Sequence, residues 1–512
     1  MRRRRAILTT TIVVALVALP AATVRALAHG RPPTTTVLTI GEPGTGRTMP
    51  AGFLGLSLEY SAIPAYAGNN PWAVDPVFTQ LIRNLAGGDP PELRIGGDTT
   101  DWTWWPIRGM HTPAGVSYAL TSRWTAVTHA LAAATGARLT LGINFEADSA
   151  AVAATEANHL VARLGRNRIA AFELGNEPEL YGTFTWGSSG EPGRAHDYNF
   201  AAFSRNFARI ARALPPVPLA GPTSGGRRWF RHVGRFLADH RHVTVATLHR
   251  YPLEGCYVKP PNPTYPTIAH LLSARSTHAL ADSVVTAVRQ AHAHGASLRV
   301  DEMNTVSCGS DPSVGHSFAS ALWALNVLFQ LARVGVDGVN LHTFPGATYA
   351  LFSFRQVGGQ WRGVVNPEYY GLEMFAQAAP AGSRLLSVSR PRTRQLQAYA
   401  TQDPRGTVRA VVINEGSGAR TVDVRVHGAS RTGTIELLTA PSIGATSGVT
   451  LGGQSYGNST TTGRLAGARK TNTIAPTRGG YVLSVPPASA VMLTMPPDGG
   501  APLAGTPGRP AK

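Results

Sequence analysis

Between residues 53 and 380 the chain alternates short apolar segments with longer amphipathic ones. The short segments are rich in Val, Leu, Ile and Phe, which is typical of strands that are covered by helices on both faces. Eight segments are predicted as strands: Phe53–Tyr60, Glu92–Gly97, Arg138–Phe145, Ile169–Asn176, Val217–Thr223, Val243–Tyr251, Ser297–Asn304 and Gly338–Phe344.

The stretches between these strands have the apolar periodicity of helices. The clearest are Trp124–Thr135, Ala150–Leu164, Phe200–Leu214, Ser276–His294 and Phe318–Val334, with Pro367–Ala379 after the last strand. Eight strands, each followed by a helix, predict a (β/α)8 TIM barrel over residues 51–380. A doubly wound open sheet would alternate similarly, but the count of eight and the lack of a Gly-rich phosphate loop after the first strand favour the barrel.

Beyond residue 380 the pattern changes to short alternating segments that are separated by Gly, Ser and Thr. This pattern predicts a C-terminal antiparallel β-sandwich domain over residues 381–495. Thr35–Ile40, in the N-terminal segment 29–50, is expected to add a strand to that domain. The Pro- and Gly-rich tail, 496–512, is predicted to be disordered. The predicted sandwich strands are Arg384–Val388, Gln395–Ala400, Val408–Ile413, Thr421–Val426, Thr434–Leu438, Tyr481–Val485 and Val491–Met495.

The first 28 residues have the composition of an export signal. Arg2–Arg5 precede an apolar run, Ala6–Leu19, and Ala26–Ala28 supplies an A-x-A cleavage site. The arginines also weakly resemble a twin-arginine signal. We therefore predict a secreted protein without stable membrane association after cleavage; an uncleaved anchor is the alternative. No later apolar run approaches the ~20 residues of a membrane span.

Export makes a disulfide between the two cysteines, Cys256 and Cys308, chemically reasonable. They follow the sixth and seventh predicted strands, and the barrel would place those two loops side by side. We predict the bridge, with two unrelated buried thiols as the alternative.

The chain is strongly basic, with 47 Lys and Arg against 29 Asp and Glu and a formal net charge of +18. Such a balance favours acidic partners, either a polyanionic polysaccharide or nucleic acid. The positive charges are scattered, however, and form neither a basic-aromatic stripe nor a nucleic-acid motif. A solvated basic surface is therefore favoured, and no nucleic-acid partner is predicted.

Two of the predicted strands, the fourth and the seventh, end next to a glutamate, Glu177 and Glu302. A barrel would bring both to its C-terminal face, where the functional groups of such barrels lie. Two carboxylates across one cleft suit glycosidic cleavage, because one protonates the leaving oxygen and the other attacks the anomeric carbon or activates water. Strands four and seven face each other, so a separation of ~5 Å and a retaining mechanism are predicted. Two ordinary surface glutamates are the alternative.

Further polar and aromatic side chains are expected at the same face. Glu59 follows the first strand, Asp98 follows the second and Tyr251 closes the sixth, where they would bind sugar hydroxyls or an apolar sugar face. Strand parity points Arg94 and Glu173 inward and predicts a buried pair that orients the catalytic groups. The tryptophans after the second strand would either contact the sugar or pack a loop: Trp102, Trp104 and Trp105.

Neither a metal site nor a nucleophilic triad is predicted. The 16 histidines show no H-E-x-x-H motif and no Cys/His spacing, and no G-x-S-x-G elbow occurs. No cofactor is therefore predicted.

Four segments, Leu93–Asp98, Glu173–Tyr181, His249–Pro252 and Arg299–Asn304, resemble glycoside hydrolase family 79. This is the family of bacterial exo-β-glucuronidases and heparanase, and the likeness covers roughly residues 36–495. The resemblance implies a retaining mechanism without a metal, in which Glu177 is the acid/base and Glu302 is the nucleophile.

The same resemblance implies further substrate-binding residues. Asn176 would hold the 2-hydroxyl of the sugar, and Glu59 and Asp98 match positions that bind ring hydroxyls. Gly309, through its backbone amide, and Tyr349 match positions that bind the uronate carboxylate in the bacterial branch of the family.

Two positions depart from the family pattern. Ser307 stands where related glucuronidases can carry a tyrosine, and Asp98 replaces the asparagine or threonine that often follows the Gly-Gly. The predicted function is a secreted, monomeric, retaining exo-β-glucuronidase that removes terminal glucuronate, 4-O-methylated or not, from glycans. The loops Tyr181–Arg194 and Cys256–Pro266 would wall off one side of its cleft.

Three alternatives remain open. A heparanase-like endo-enzyme would need a cleft that is open at both ends, and a neutral-sugar β-glycosidase would suit the serine at position 307. A non-catalytic polysaccharide-binding protein would not require both glutamates.

Overall fold

The computed structural model describes residues 35–309, 312–389, 393, 395–427 and 429–497. The predicted signal peptide and the tail beyond residue 497 lie outside these ranges. Within them, no helix combines the length and apolar character that a bilayer crossing requires.

Eight parallel strands close into a barrel, which confirms the predicted fold. The last strand pairs with the first, and the observed strands begin and end within two residues of the predicted ones. Their side chains are almost entirely buried, as the continuous apolar segments indicated. In chain order the strands are β1 Leu54–Glu59, β2 Glu92–Gly96, β3 Arg138–Ile143, β4 Ile169–Leu174, β5 Leu219–Ser224, β6 Val243–Arg250, β7 Ser297–Met303 and β8 Gly338–Thr343.

Helices cover the outside of the barrel, and several begin where a side chain caps free backbone N–H groups. Asp75, Thr121, Ser149 and Asn199 each accept a hydrogen bond from the first turn of the helix that follows. The longer helices are Pro76–Ala86, Ser122–Thr135, Ala150–Leu164, Phe200–Ala211, Val285–Ala293, Phe318–Arg333 and Pro367–Ala378. The shorter ones are Ala62–Ala67, Thr99–Trp102, Arg227–Phe230, Val233–Asp239, Ile268–Leu271 and His278–Asp282.

The predicted helix Ser276–His294 is two helices in the structure, His278–Asp282 and Val285–Ala293. Ser283 and Val284 separate them, and the hydroxyl of Ser283 donates to the backbone oxygen of Leu280 at 2.6 Å. Such local bonds from a serine compete with the helical hydrogen-bond ladder. The apolar periodicity continues across this break, so it did not reveal the interruption.

Nine strands from the described residues after the barrel and one strand from before it form a ten-stranded sheet, whose facing parts enclose a separate apolar core. The N-terminal strand Thr36–Thr48 belongs to it and runs parallel to Arg420–Val426 but antiparallel to Arg384–Val388. The predicted β domain is thus present, with one parallel pair that the pattern did not predict. Its other strands are Leu396–Gln402, Val408–Asn414, Gly433–Thr439, Thr450–Leu451, Asn472–Ile474, Gly480–Val485 and Ser489–Met495.

The helix Phe318–Arg333 joins the barrel to this sheet, and fourteen of its sixteen residues are buried. Phe329 stacks on Tyr399 of the sheet with ring centroids 4.6 Å apart. The Tyr399 hydroxyl donates to the side-chain oxygen of Asn326 at 2.6 Å. A helix that is apolar on every side must be covered on every side, which explains its position between the two layers.

Three small strand pairs escaped prediction because they are short or lie in loops: Thr103–Trp104 with Tyr118–Ala119, Leu253–Glu254 with Val306–Ser307, and the hairpin Phe352–Val357 with Gln360–Val365.

Candidate active site

Glu177 and Glu302 lie together at the C-terminal mouth of the barrel. Glu302 is in β7 and is 7% exposed, whereas Glu177 follows β4 in the left-handed region, at φ 47°. The Glu177 backbone N–H donates to the carbonyl of Thr223 at 3.0 Å, which ties this conformation to the end of β5. One carboxylate oxygen of each glutamate lies within 4.8 Å of the other. Retaining glycosidases place their two carboxylates about 5–5.5 Å apart and inverting ones further, so the spacing favours retention.

Arg94 lies beneath the two glutamates, with none of its side chain exposed, and pairs with Glu173 as its inward position predicted. The Arg94 Nε donates to Glu173 Oε2 at 2.7 Å and its Nη1 donates to Glu302 Oε2 at 2.6 Å. Its Nη2 donates to Asn176 Oδ1 at 2.9 Å. A single fixed guanidinium thus orients the carboxylate of Glu302 and the amide of Asn176, because its five donors have a rigid geometry.

Asp301 and Glu173 are two carboxyl groups that both lie beside the Nε of Arg94. Both are buried, and Asp301 Oδ2 lies 3.4 Å from Arg94 Nε. Burial and the neighbouring Glu173 raise the pKa of Asp301 well above its usual value. Two adjacent buried carboxylates cannot both ionise cheaply, and the opposite pKa shifts favour the proton on Asp301 and the charge on Glu173. Arg94 therefore faces two carboxylate charges, those of Glu173 and Glu302.

His249 of β6 connects the two candidate catalytic glutamates. Its Nδ1 is 2.9 Å from Glu177 Oε1, and its Nε2 is 3.0 Å from the hydroxyl of Thr223. Burial opposes a charge on the ring, but Glu302 and the hydrogen bond to Glu177 outweigh it and raise the pKa of His249 to about 9. The ring is therefore cationic at neutral pH and donates to both partners.

His342 of β8 has a matching position on the other side of Glu302. Its Nδ1 is 2.9 Å from the hydroxyl of Ser57, and its Nε2 is 3.2 Å from Glu59 Oε1. Burial lowers its pKa, but Glu302 and Glu59 outweigh that effect and raise it. Sequence reasoning assigned no role to His249 or His342. Their parity on two predicted strands, which points them inward, could have found them.

Glu302 is held ionised by these neighbours. Burial alone would raise its pKa, but His342, His249 and Arg94 together lower it well below its usual value. The hydroxyl of Tyr251 donates to Glu302 Oε1 at 3.1 Å. A carboxylate that is ionised and fixed at both oxygens has the properties of a nucleophile.

Glu59 and Asp98 stand beside the glutamate pair. The backbone N–H groups of Asp98 and Thr99 donate to Glu59 at 3.2 and 2.9 Å, as does the hydroxyl of Thr99. Gly97, at φ +70°, permits this approach, since a Cβ there would lie 2.2 Å from Glu59 Oε1. Asn176 Nδ2 donates to Asp98 Oδ1 at 3.1 Å.

Asp98 is exposed to solvent, although the protein around its carboxyl group limits the hydration of that group. That effect and the charges of Glu59, Glu302 and Glu177 raise the pKa of Asp98 to about 8. The raised pKa favours the neutral form of Asp98, in which the carboxyl group can donate a hydrogen bond as well as accept one.

Tyr251 and Tyr349 form a pair of phenols at the same mouth, with their oxygens 3.4 Å apart. Burial raises the pKa of both well above the usual value, so both keep their protons. Because Tyr251 donates its one proton to Glu302, Tyr349 is the donor in the 3.4 Å contact between the phenols, a long hydrogen bond that a substrate oxygen could replace.

Gly309 lies on the loop after β7, and no hydrogen bond among the described residues joins it to this cluster. Its close neighbour is Gly255, since a Cβ on Gly309 would lie 2.9 Å from Gly255 Cα. Cys256 and Cys308 form the predicted disulfide beside it, with Cα atoms 5.6 Å apart. The structure thus brings together Glu59, Asp98, Asn176, Tyr251 and Tyr349 around the glutamates but shows no such contact for Gly309.

The tryptophans after β2 mainly pack loops. Trp104 is buried in a cluster with Trp186, and Trp105 stacks on His159 with ring centroids 4.0 Å apart. Asp101, just before these tryptophans in the chain, accepts hydrogen bonds from the backbone N–H groups of residues 145, 146 and 176. These contacts fix the backbone just before Glu177 and so help to position that residue.

Glu177, His249 and Glu302 offer ligand atoms close enough to coordinate a metal ion. The guanidinium of Arg94, 2.6 Å from Glu302, and the proton of His249 would both repel a cation at that point. The donor set therefore suits proton and glycosyl transfer better than metal binding.

Comparison with known proteins agrees with this architecture. Residues 398–492 match the family model described as the glycosyl hydrolase family 79 C-terminal beta domain. A β-glucuronidase of Neurospora crassa is 22% identical over 379 residues, which cover 65% of this chain and 64% of that protein. A β-glucuronidase of Aspergillus niger is 23% identical over 406 residues, 71% of each chain. The human protein named inactive heparanase-2 is 25% identical over 182 residues, 34% of this chain and 28% of that protein.

Solved structures show the same fold. A 4-O-α-L-rhamnosyl-β-D-glucuronidase from Fusarium oxysporum superposes with a TM-score of 0.71 at 17% identity, over 90% of this chain and 100% of that one. A family 51 arabinofuranosidase from Xanthomonas axonopodis pv. citri reaches 0.63 at 16% identity, over 90% and 99%. Residues 398–492 therefore match a family 79 C-terminal domain, and the chain is similar to β-glucuronidases in sequence and to glycosidase barrels in fold.

Proposed function

We propose that the protein is a secreted, retaining exo-β-glucuronidase that hydrolyses terminal β-linked glucuronate from glycans. The observation that carries the proposal is the pair Glu177 and Glu302, on opposite strands and within 4.8 Å, with Glu302 held ionised. The proteins of N. crassa and A. niger named β-glucuronidase support the choice of sugar.

In the first step Glu302 attacks the anomeric carbon, and the bond from that carbon to the leaving oxygen breaks. Glu177 transfers its proton to that oxygen, so the aglycone leaves as an alcohol and the sugar is esterified to Glu302. Arg94 and Tyr251 hold one Glu302 oxygen each, at 2.6 and 3.1 Å, which fixes the direction of attack.

In the second step Glu177, now a carboxylate, takes a proton from water while that water attacks the anomeric carbon. The ester bond breaks and Glu302 leaves as a carboxylate, so two inversions give net retention. His249 Nδ1 lies 2.9 Å from Glu177 Oε1 and holds that carboxyl group in place for the proton transfer. Asn176, which Arg94 and Asp98 hold in place, is positioned for the 2-hydroxyl of the sugar.

The uronate carboxylate would take the proton of Tyr349 in place of its long, 3.4 Å hydrogen bond to Tyr251. Asp98, whose pKa of about 8 leaves it mostly neutral at pH 7, would not repel that carboxylate strongly. The acid after the Gly-Gly is therefore compatible with an anionic sugar.

A neutral-sugar β-glycosidase is the second candidate, and it is favoured by Ser307. The hydroxyl of Ser307 donates to the backbone oxygen of Leu253 at 3.2 Å, so it is engaged within the loops. A site with one phenol fewer would discriminate less strongly between a carboxylate and a hydroxymethyl group.

The test is hydrolysis of matched aryl β-glucuronide and β-glucoside by the mature protein, with proton NMR of the first anomer formed. A large preference for the glucuronide, with the β-anomer first, supports the proposal. Equal rates or a preference for the glucoside would favour a neutral sugar over glucuronate as the substrate. Release of the α-anomer first would exclude retention. Cleavage of internal bonds in a polymer without release of terminal glucuronate would favour the endo-acting alternative.

A further inference from the structure

Three large apolar side chains stand exposed at one side of the barrel mouth. Phe184 and Tyr257 are 42% and 70% exposed, and Leu180 is 36% exposed. Phe184 lies on the loop after β4 and Tyr257 on the loop after β6, yet their ring centroids are 5.8 Å apart. We call these three residues the rim platform. Single exposed apolar residues need no explanation, but a cluster from two separate loops beside a cleft marks a binding surface.

The rim platform is tied closely to Glu177. The backbone N–H of Leu180 donates to the carbonyl of Glu177 at 2.9 Å. The carbonyl of Leu180 in turn accepts from the N–H of Phe184 at 3.0 Å. Two successive backbone hydrogen bonds therefore link the candidate acid to the first aromatic ring.

The ring of Tyr257 projects from a loop that is held in place by other contacts. Tyr257 follows Cys256, whose disulfide joins the loop after β6 to the loop after β7. The backbone N–H of Tyr257 donates to Glu254 Oε1 at 2.7 Å, and Leu253–Glu254 pairs with Val306–Ser307. Both rings thus project from braced backbone, which suits a surface that positions a ligand.

We propose that the rim platform binds the first pyranose ring of the leaving saccharide. The inference rests on the proposed function, because the leaving oxygen must lie beside Glu177 when the bond breaks. The group attached to that oxygen then lies on the side from which Leu180 and Phe184 extend. An aromatic face open to solvent matches a sugar, whose C–H face packs on the ring while its hydroxyl edges stay in water. A flat aryl aglycone, without such edges, would gain more from an enclosed pocket.

The experiment compares kcat/KM for three substrates: β-glucuronyl fluoride, an aryl β-glucuronide, and a disaccharide with β-glucuronate on a neutral pyranose. The fluoride has a leaving group of one atom and cannot reach the rim platform, so it reports the chemistry alone. The variants are Phe184→Ala, Tyr257→Ala and the double variant, with Tyr257→Phe retaining the ring. Trp72→Ala, which removes an aromatic ring that is 94% exposed on the segment after β1, is the matched control.

The ratio of kcat/KM for the disaccharide to that for the fluoride should fall about tenfold in the double variant. It should be retained in Tyr257→Phe and Trp72→Ala. An unchanged ratio in the double variant, in a protein that hydrolyses the disaccharide, would refute the rim platform. A loss confined to the aryl glucuronide would refute the assignment to a sugar. Wild-type protein that is inactive on all three glucuronides would instead refute the proposed function.

Discussion

His249 should stabilise the folded protein below pH 6.5 and lose that effect as the pH rises through 9. Its ring is fully buried, 2.9 Å from Glu177 and 3.9 Å from Glu302, which raises its pKa from 6.5 to about 9. Because the folded state binds this proton more tightly than the unfolded chain, the stabilisation is complete below the unfolded pKa. The difference between the two pKa values, at ~1.36 kcal/mol per pH unit, corresponds to about 3 kcal/mol.

The assay is urea-induced unfolding of the wild type and His249→Asn, followed by tryptophan fluorescence at pH 5.5 and pH 10. The difference in free energy of unfolding between the two proteins should be about 3 kcal/mol larger at pH 5.5. Over roughly 460 residues, at ~2.1 cal/mol/K per residue, that corresponds to a change of about 3 °C in Tm.

His240→Asn is the control, because burial lowers the pKa of His240. A lowered histidine pKa changes the free energy of unfolding only below about pH 6.5. There the unfolded chain binds a proton that the folded state binds more weakly. The difference for this variant should therefore stay constant between pH 7 and pH 10. If His249→Asn also showed the same difference at pH 5.5 and pH 10, His249 would not be the cation that links the two glutamates.

Glu302→Ala should lower kcat at least about 10⁴-fold with an unchanged circular dichroism spectrum, because no covalent intermediate forms; activity within tenfold of the wild type would contradict the nucleophile assignment. Glu177→Ala should slow glucuronides with alcohol leaving groups far more than activated aryl glucuronides, since only the former need protonation; equal losses would count against Glu177 as the acid. Tyr349→Phe should reduce the kcat/KM preference for glucuronide over glucoside by about tenfold or more, the worth of a hydrogen bond to a charged group; an unchanged preference would assign the carboxylate to another donor. Cys256→Ser combined with Cys308→Ser opens a link across 52 positions and should cost about 4 kcal/mol in urea unfolding; a loss below about 1 kcal/mol would show that the paired loops are held without it.

Local patterns predicted most of the framework. The eight barrel strands follow from short apolar segments, since a strand covered on both faces must be apolar along its whole length. Glu177 and Glu302 stood out because each closes such a strand, and closed barrels collect the ends of their strands at one face. The pairing of Arg94 with Glu173 needed only the alternation of side chains along β2 and β4.

Other features depend on contacts between distant parts of the chain. No local pattern indicated that Thr36–Thr48 would run parallel to Arg420–Val426, because strand neighbours in an open sheet are chosen by packing across the whole domain. The break at Ser283 is likewise invisible to periodicity, which continues through it.

The sequence by itself determined the barrel, the β domain and the two glutamates, because periodicity and strand ends are properties of short segments. Only the tertiary structure decided the charges and the surface around them. Nothing in the sequence indicates shifted pKa values for His249 and His342. The fold places them beside carboxylates, and these neighbours shift their pKa values upward. Phe184 and Tyr257, 73 positions apart, form one surface only because two loops meet above β5. Electrostatic and packing energies depend on distance in space, and spacing along the chain does not supply that distance.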